Sequence, residues 1–443
     1  MRISKNKFFR RILAVLLLLV FLLLLDTWMG DLLSPVTYAF CFNHDVQQIE
    51  KTGKNADIVF VGASRVYRTF VPQILEEKLG VDCVVNAGSS AQPICGTYYQ
   101  LKDLIERLHP RRVFLGVTWD QAITNADLQE KLIVLDRLSL RNRLLMAVNC
   151  FSIEEMRYLS GTYRFKDNFT LEKIKSNIDS KNNLISNGFN SFSKKDEYYA
   201  DTGFVYSYAT FDQGNIPLKK MGGFSAEKTK DSNMHYLDAC IELCQQNNIE
   251  VSLVVGVTSM MRLYMIGNYQ DAVDFYSSYA QNHSIPFYNL NYLVGREEFL
   301  PDSCMHDSNH VNGEGAHIVT EKLAEILNQS AEGKDISGFF YENLDKLKKD
   351  VHRIVSVKAD ITADPDSENH LFITISSAQN DDVEPVYRVL LRRSGEDGFD
   401  VLRDWSPQAQ LDLQLADTEG ATLRIEAASA DETYGHAFQE YDL

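Results

Sequence analysis

The sequence is poor in cysteine and has none in a useful arrangement: its 443 residues contain seven, an odd number, without zinc spacing. That excludes a disulfide framework. Cys240 and Cys244, at i and i+4 on a helical stretch, read as packing residues and not as metal ligands. Basic residues are also in deficit, with 44 Lys and Arg against 61 Asp and Glu and a formal charge of −17. Five of the basic residues (Arg2, Lys5, Lys7, Arg10 and Arg11) lie in the first eleven positions, so subtracting their +5 leaves the remainder at −22. Nucleic acid is excluded as a partner on that balance, and nothing in the chain calls for a cofactor. What the chain has is apolar bulk. At 45% hydrophobic and 24% charged residues it is neither disordered nor fibrous, and it is long enough for two or three domains with at least one large core.

Ile12 to Leu25 is an unbroken apolar run, with Phe8 and Phe9 before it and Trp28 just after. Its fourteen residues fall short of the roughly 20 a spanning helix needs and match the core of a signal peptide. No small-x-small cleavage site follows directly, and Cys41 lacks a lipobox-like context. The reading is an uncleaved signal anchor over residues 1–30, followed by a connecting segment, 31–54. The Lys and Arg before the run stay in the cytoplasm, so the protein crosses the cell membrane once and everything after the run is extracytoplasmic.

Asp57 to Val61 is apolar and β-branched without alternation, as in a strand buried on both faces of a parallel sheet. It stops at Gly62-Ala63-Ser64. Val71 to Gly80 then reads as a helix, Asp82 to Asn86 as a strand, Pro93 to Leu108 as a helix and Arg112 to Thr118 as a strand. Regularity breaks from about 121 to 225, a Tyr-, Phe-, Asn- and Gly-rich insertion expected over the active edge as a lid or sugar-contacting platform, with a small satellite core the more common role for its aromatics. It returns with a helix 227–247, a strand 250–256, a helix 269–283, a strand 286–289 and a closing helix 314–328 whose Ala316, Val319, Leu323 and Leu327 share one face. The alternation predicts an α/β fold, a doubly wound, mostly parallel sheet, over 55–330.

Two places in this frame carry chemistry. Ser64 sits at the carboxyl end of the first strand, where open α/β sheets place their sites, although a serine capping the turn is the plain alternative. Asp307-Ser308-Asn309-His310 sets an acid and a base three residues apart just before the last helix, a spacing that lets both face one cleft. A polar loop is the alternative there. Metal binding by His306, Asp307 and His310 is the weaker reading because nothing else supplies a ligand set. His306 and His317 are expected to be structural or solvent-facing.

In their order and spacing, Val61-Gly62-Ala63-Ser64-Arg65, Asn86-Ala87-Gly88-Ser89 and Asp307-Ser308-Asn309-His310 resemble the motif blocks of the SGNH (GDSL-like) hydrolase superfamily. Within it they resemble the membrane-anchored extracytoplasmic branch akin to teichoic-acid D-alanylation and polysaccharide O-acetylation proteins. The resemblance implies a flavodoxin-like three-layer sandwich with Ser64 as nucleophile, His310 as base and Asp307 as acid. It implies an oxyanion hole made by the Ser64 and Gly88 N–H groups. One block departs: the family carries Gly-x-Asn-Asp after the third strand, and this chain has Gly116-Val117-Thr118-Trp119-Asp120. Thr118 offers a hydroxyl in place of the amide, and losing one oxyanion donor costs roughly 3 kcal/mol. The implied activity is ester hydrolysis or O-acyl transfer on acyl esters of a cell-envelope carbohydrate or polymer, with a membrane-bound acyltransferase as partner. The departure favours an alternative, a catalytically weak binding partner of such an acyltransferase.

After a polar linker, 331–350, the pattern changes to short alternating strands from Val351, including Leu371 to Ser376, Val386 to Leu391, Leu411 to Leu415 and Thr422 to Ala427. A small β-sandwich of immunoglobulin or fibronectin type is expected over 351–443. Its 19 acidic and 7 basic residues give −12, as suits either polymer or protein binding or a solvated spacer.

Overall fold

The computed structural model describes residues 5–211, 221–350, 354–364, 367–379, 383–414, 420–430 and 437–443. Arg2 of the basic cluster and Leu415, the end of one expected strand, lie outside them. In chain order the first elements are α1 (Lys5–Leu33), α2 (Tyr38–Thr52), β1 (Ile58–Val61), α3 (Ser64–Thr69), α4 (Pro72–Leu79), β2 (Val84–Asn86), α5 (Ile94–Leu108) and β3 (Arg112–Gly116). The insertion holds α6 (Leu128–Leu135), α7 (Leu140–Cys150), α8 (Gly161–Arg164), α9 (Leu171–Asn187), β4 (Ser193–Lys194), β5 (Glu197–Asp201) and β6 (Phe204–Ser207). Then come α10 (Asp231–Gln246), β7 (Glu250–Val255), α11 (Met260–Met265), α12 (Tyr269–Asn282), β8 (Phe287–Asn289), α13 (Arg296–Phe299), β9 (Met305–Asp307), β10 (His310–Val311), α14 (Gly313–Ala331) and α15 (Leu344–Asp350).

β2, β1, β3, β7 and β8 pair in that order, all parallel. This is the doubly wound order in which the chain switches sides between β1 and β3, and such sheets bind ligands at that switch. Alternation along each strand supplies both faces. Val59, Val61, Leu115 and Leu253 pack against α5, α10 and α12, where Cys240 and Cys244 are fully buried. Ile58, Phe60, Phe114 and Val254 pack against α3, α4 and α14, and Ala316, Val319, Leu323 and Leu327 point inward as their spacing requires. Each such side chain contributes about 1.5–3 kcal/mol on burial. The result is a three-layer α/β/α sandwich.

The apolar helix runs further than its leucines suggest. α1 continues to Leu33, and the 25 residues from Phe9 to Leu33 are long and apolar enough to cross a membrane by length and composition. Its last turns are built into the body. Asp26 accepts hydrogen bonds from Ser160 Oγ (2.7 Å) and the backbone N–H groups of Gly161 (3.0 Å) and Thr162 (3.2 Å). Gly30 lies against Gly161 so closely that a Cβ there would stand 2.8 Å from the Gly161 Cα. Asn168 and Asn177 donate to the Leu33 carbonyl at 3.0 and 2.9 Å, and Leu33 is fully buried.

The insertion therefore does more than cover the active edge. Thr124, Asn125, Ala126 and Glu130 do line the cleft there. The insertion's α8 and α9 pack on α1 and its β5 on α2, where Tyr38 donates to Glu197 of β5 at 2.7 Å. The tail comprises β11 (Ile354–Asp364), β12 (Ser367–Gln379), β13 (Pro385–Arg392), β14 (Asp400–Ser406), β15 (Gln410–Gln414), β16 (Thr422–Ser429) and β17 (Ala437–Asp442). These form two antiparallel sheets, β11-β12-β15 and β14-β13-β16-β17, around one core that includes Ile373, Val389 and Ile425.

Candidate active site

Ser64 is the first residue of α3, directly after β1, and the turn that presents it is set by glycine. Gly62 has φ 154°, and a Cβ there would lie 2.7 Å from the Gly116 carbonyl oxygen. Cβ atoms on Gly88 and Gly116 would lie 2.7 Å and 2.2 Å from Val66 side-chain atoms. Three glycines, Gly116 at the end of β3 and Gly62 and Gly88 in the loops after β1 and β2, thus form the seat of the first turn of α3. Asn86, fully buried at the end of β2, holds the helix down by donating through Nδ2 to the Val66 carbonyl (2.9 Å) and the Phe70 carbonyl (2.6 Å).

His310 reaches Ser64 from a hairpin 246 residues away, with Nε2 2.7 Å from Ser64 Oγ. The hairpin is held by Asp307, whose Oδ1 accepts the backbone N–H groups of Asn309 (2.7 Å) and His310 (3.0 Å). Both Asp307 oxygens lie 2.9 Å from His310 Nδ1. Burial would push the Asp307 carboxyl up, but the His310 hydrogen bond and charge and the Asn309 N–H hold it down to about 2. For His310, burial pushes the imidazole below its ordinary value, reinforced by Arg65 and Arg68 against the pull of Asp307, so it is neutral at pH 7. A carboxylate only accepts, so Nδ1 carries the proton and Nε2 the lone pair. Ser64 Oγ–H is then the donor of the 2.7 Å bond.

The two further expected donors are placed differently. Gly88 N–H donates to Asn86 Oδ1 at 3.2 Å, and Gly88 is not among the residues lining the cleft. Its glycine is explained by close approach, since a Cβ would stand 2.5 Å from Tyr67 N. Thr118 does line the cleft, but its hydroxyl donates to Asp120 Oδ1 (2.8 Å) and its N–H to Gln121 Oε1 (2.9 Å). Both placements have one physical reason: each donor has a polar acceptor two or three residues away along the chain. The Ser64 N–H, in the first turn of α3, has no intrachain acceptor among the described residues.

Several side chains of the site carried no signal in the sequence. Arg65, buried, donates through Nε to the Asn309 carbonyl and through Nη2 to Asn309 Oδ1, both at 3.3 Å, and so ties the His310 hairpin to the helix bearing Ser64. Ser259 fixes the same hairpin from the other side, donating through N and Oγ to the Ser308 carbonyl at 3.1 Å each. Arg262, on α11, lines the cleft opposite Asp120 with no hydrogen-bond partner for its guanidinium among the described residues. His306 is occupied elsewhere, its Nδ1 2.7 Å from Ser207 Oγ. The cleft measures about 220 Å³, and Gln92, Gln121 and Asn233 complete its polar wall. Among the described residues no group of three or more His, Cys, Asp or Glu is arranged to hold a metal ion.

No family model matches the chain, and no curated protein matches its sequence. Solved structures do. The chain is similar to a GDSL-like lipase from Bacteroides thetaiotaomicron, at 13% identity and TM-score 0.31 over 67% of this chain and 99% of that one. It is similar to a psychrotrophic esterase from Pseudoalteromonas sp., at 8% identity and TM-score 0.28 over 62% and 99%. A two-domain esterase active on acetylated mannans matches at 10% identity and TM-score 0.27 over 90% of this chain and 87% of its own.

Proposed function

We propose that this chain is a membrane-anchored, extracytoplasmic serine ester hydrolase or O-acyltransferase acting on acyl esters of a cell-envelope carbohydrate or polymer. The observation that carries the reading is the hydrogen-bonded series from Asp307 through His310 to Ser64, with the serine proton directed at a neutral imidazole. His310 Nε2 takes the Ser64 proton as Oγ attacks the ester carbonyl. Asp307 holds the imidazole in the productive tautomer and stabilises the cation it becomes. The Ser64 N–H meets the developing oxyanion. His310 returns the proton to the leaving alkoxide, leaving an acyl-Ser64 ester. Attack by water, with His310 again as base, completes hydrolysis; attack by a sugar or polyol hydroxyl completes transfer.

The cleft supports a short acyl group, since about 220 Å³ lies below the 300–1,000 Å³ of sites that take drug-sized ligands. Asp120, Asn125 and Asn233 on its wall suit hydroxyl-bearing substrates. Anchoring is supported by the way Asp26, Gly30 and Leu33 are built into the body, because cleavage beyond Leu33 would remove the carboxylate that accepts the first N–H groups of α8 and uncover buried surface. The test is hydrolysis of acetyl and longer acyl esters by the full chain in detergent, with Ser64→Ala as control. Turnover that falls to background in the variant supports the enzyme. Equal inactivity of both proteins on several esters sinks it in favour of a binding partner for a membrane acyltransferase.

A further inference from the structure

A second and larger cavity, about 590 Å³, lies away from Ser64, between the end of α1 and helices α7 and α9. Along α1 it extends from Leu23 to Leu32, about 14 Å at 1.5 Å per residue. Leu23 belongs to the apolar run, so the cavity begins where the hydrocarbon layer would end and continues through the depth of the headgroups. Its wall has two characters. Leu23, Leu140, Leu144, Ile178 and Ile185 give an apolar side. Leu140 and Leu144, one turn apart on α7, are 37% and 41% exposed, which is unusual company for an exposed helix face unless lipid or protein covers it. The polar side is mixed: Arg143 and Lys181 stand with Asp31, while Asp26 is taken up by the N–H groups of α8 and Asp136 by Arg164. Lys181 Nζ is used by the Asp31 carbonyl and by Ser34 Oγ at 3.0 Å. Arg143 spends only Nε in a hydrogen bond, on the Leu135 carbonyl at 3.2 Å; its charge acts on the Asp31 carboxylate, and its two terminal amino groups make no hydrogen bond among the described residues.

We propose that this cavity binds one glycerophospholipid of the adjacent leaflet, with an acyl chain along Leu23, Leu140 and Leu144 and the phosphate on the Arg143 fork. A membrane lipid is the occupant because one wall of the cavity is the membrane helix itself and the apolar lining is continuous with it. A planar guanidinium with two free donors matches phosphate oxygens. The proposal rests on α1 being an uncleaved anchor. Bound lipid completes the joint between anchor and body and fixes the height of the Ser64 cleft above the membrane.

The full chain, purified from membranes in mild detergent, is examined by native mass spectrometry, then stripped and offered phosphatidylglycerol or glycerol 3-phosphate alone. One phospholipid per wild-type chain is expected. Arg143→Gln and the cavity-filling Leu144→Trp should each lower its occupancy at least tenfold. Melting temperature and far-UV circular dichroism near wild type establish that the variants are folded. Three results overturn the site: a wild-type chain with intact residues 1–33 and no bound lipid, variants that retain lipid as well as wild type, or glycerol 3-phosphate competing as well as the lipid. An intact mass lacking the first thirty residues instead overturns the anchor, and the lipid site with it.

Discussion

Asp307→Asn is the substitution whose consequences can be worked furthest. The carboxylate accepts from three donors: the N–H groups of Asn309 and His310 and the His310 Nδ1–H. The amide of the variant offers one acceptor oxygen and two N–H donors. Keeping the two backbone bonds turns Nδ2–H toward His310 Nδ1, which then needs its lone pair on that side. The imidazole changes tautomer, Nε2 acquires the proton, and Ser64 has no acceptor. In serine-protease triads the equivalent change costs about 10⁴ in kcat, or about 5.4 kcal/mol of barrier. Stability should change far less. The fall of the Asp307 pKa from 3.8 to about 2 converts to about 2.4 kcal/mol at 1.36 kcal/mol per pH unit. The side chain is 42% exposed, however, so screening leaves roughly 1 kcal/mol. Because the folded pKa is the lower one, that contribution is complete above about pH 4 and is lost as pH falls toward 2. The assay pairs steady-state hydrolysis of a 4-nitrophenyl acyl ester with thermal melting at pH 7. A kcat loss of about 10⁴ with a melting shift of a few degrees is expected. A variant that keeps more than a tenth of wild-type kcat, or loses activity only because it unfolds, refutes the reasoning.

Since burial lowers the His310 pKa below its ordinary 6.5, kcat/KM should stay level from pH 8 to below 6.5 and decline only at more acid pH; a limb centred at or above 7 would contradict a neutral, buried base. Thr118→Val should change kcat less than about threefold, because the hydroxyl it removes is directed at Asp120; a loss of 10² or more would make that hydroxyl an oxyanion donor. Gly88→Ala should destabilise by about 1–3 kcal/mol through overpacking against Tyr67 and Val66, read as a lowered melting temperature; unchanged melting would contradict the seat described for α3.

What could be read in the sequence was what local pattern encodes. Ile58 to Val61 announced a doubly buried strand because both faces of the sheet are covered, and α14 announced its inward face by the spacing of Ala316, Val319, Leu323 and Leu327. Ser64 stood out because it follows the first strand, and Asp307 and His310 because they lie three residues apart just before the last helix; the structure brings all three within hydrogen-bond reach. What stayed hidden depended on distant partners. The helical continuation from Asp26 to Leu33 is held by Ser160, Gly161 and Asn168, more than 130 positions on. α2 lay in what read as a connecting segment because its buried face is completed by Tyr199 and Val205 of the insertion. The glycine of Asn86-Ala87-Gly88 looked like an N–H donor to a ligand; its contacts with Val66 and Tyr67, which make it a steric requirement, are not visible along the chain.

The central claim is that Ser64 is a nucleophile activated by His310. Its most direct test is covalent labelling of the full chain with a fluorophosphonate, followed by intact-mass measurement and peptide mapping. The account predicts one adduct per chain, on Ser64, and its loss in His310→Ala with the melting temperature retained. A wild-type chain that takes up no label, or takes it up on another residue, would contradict the account.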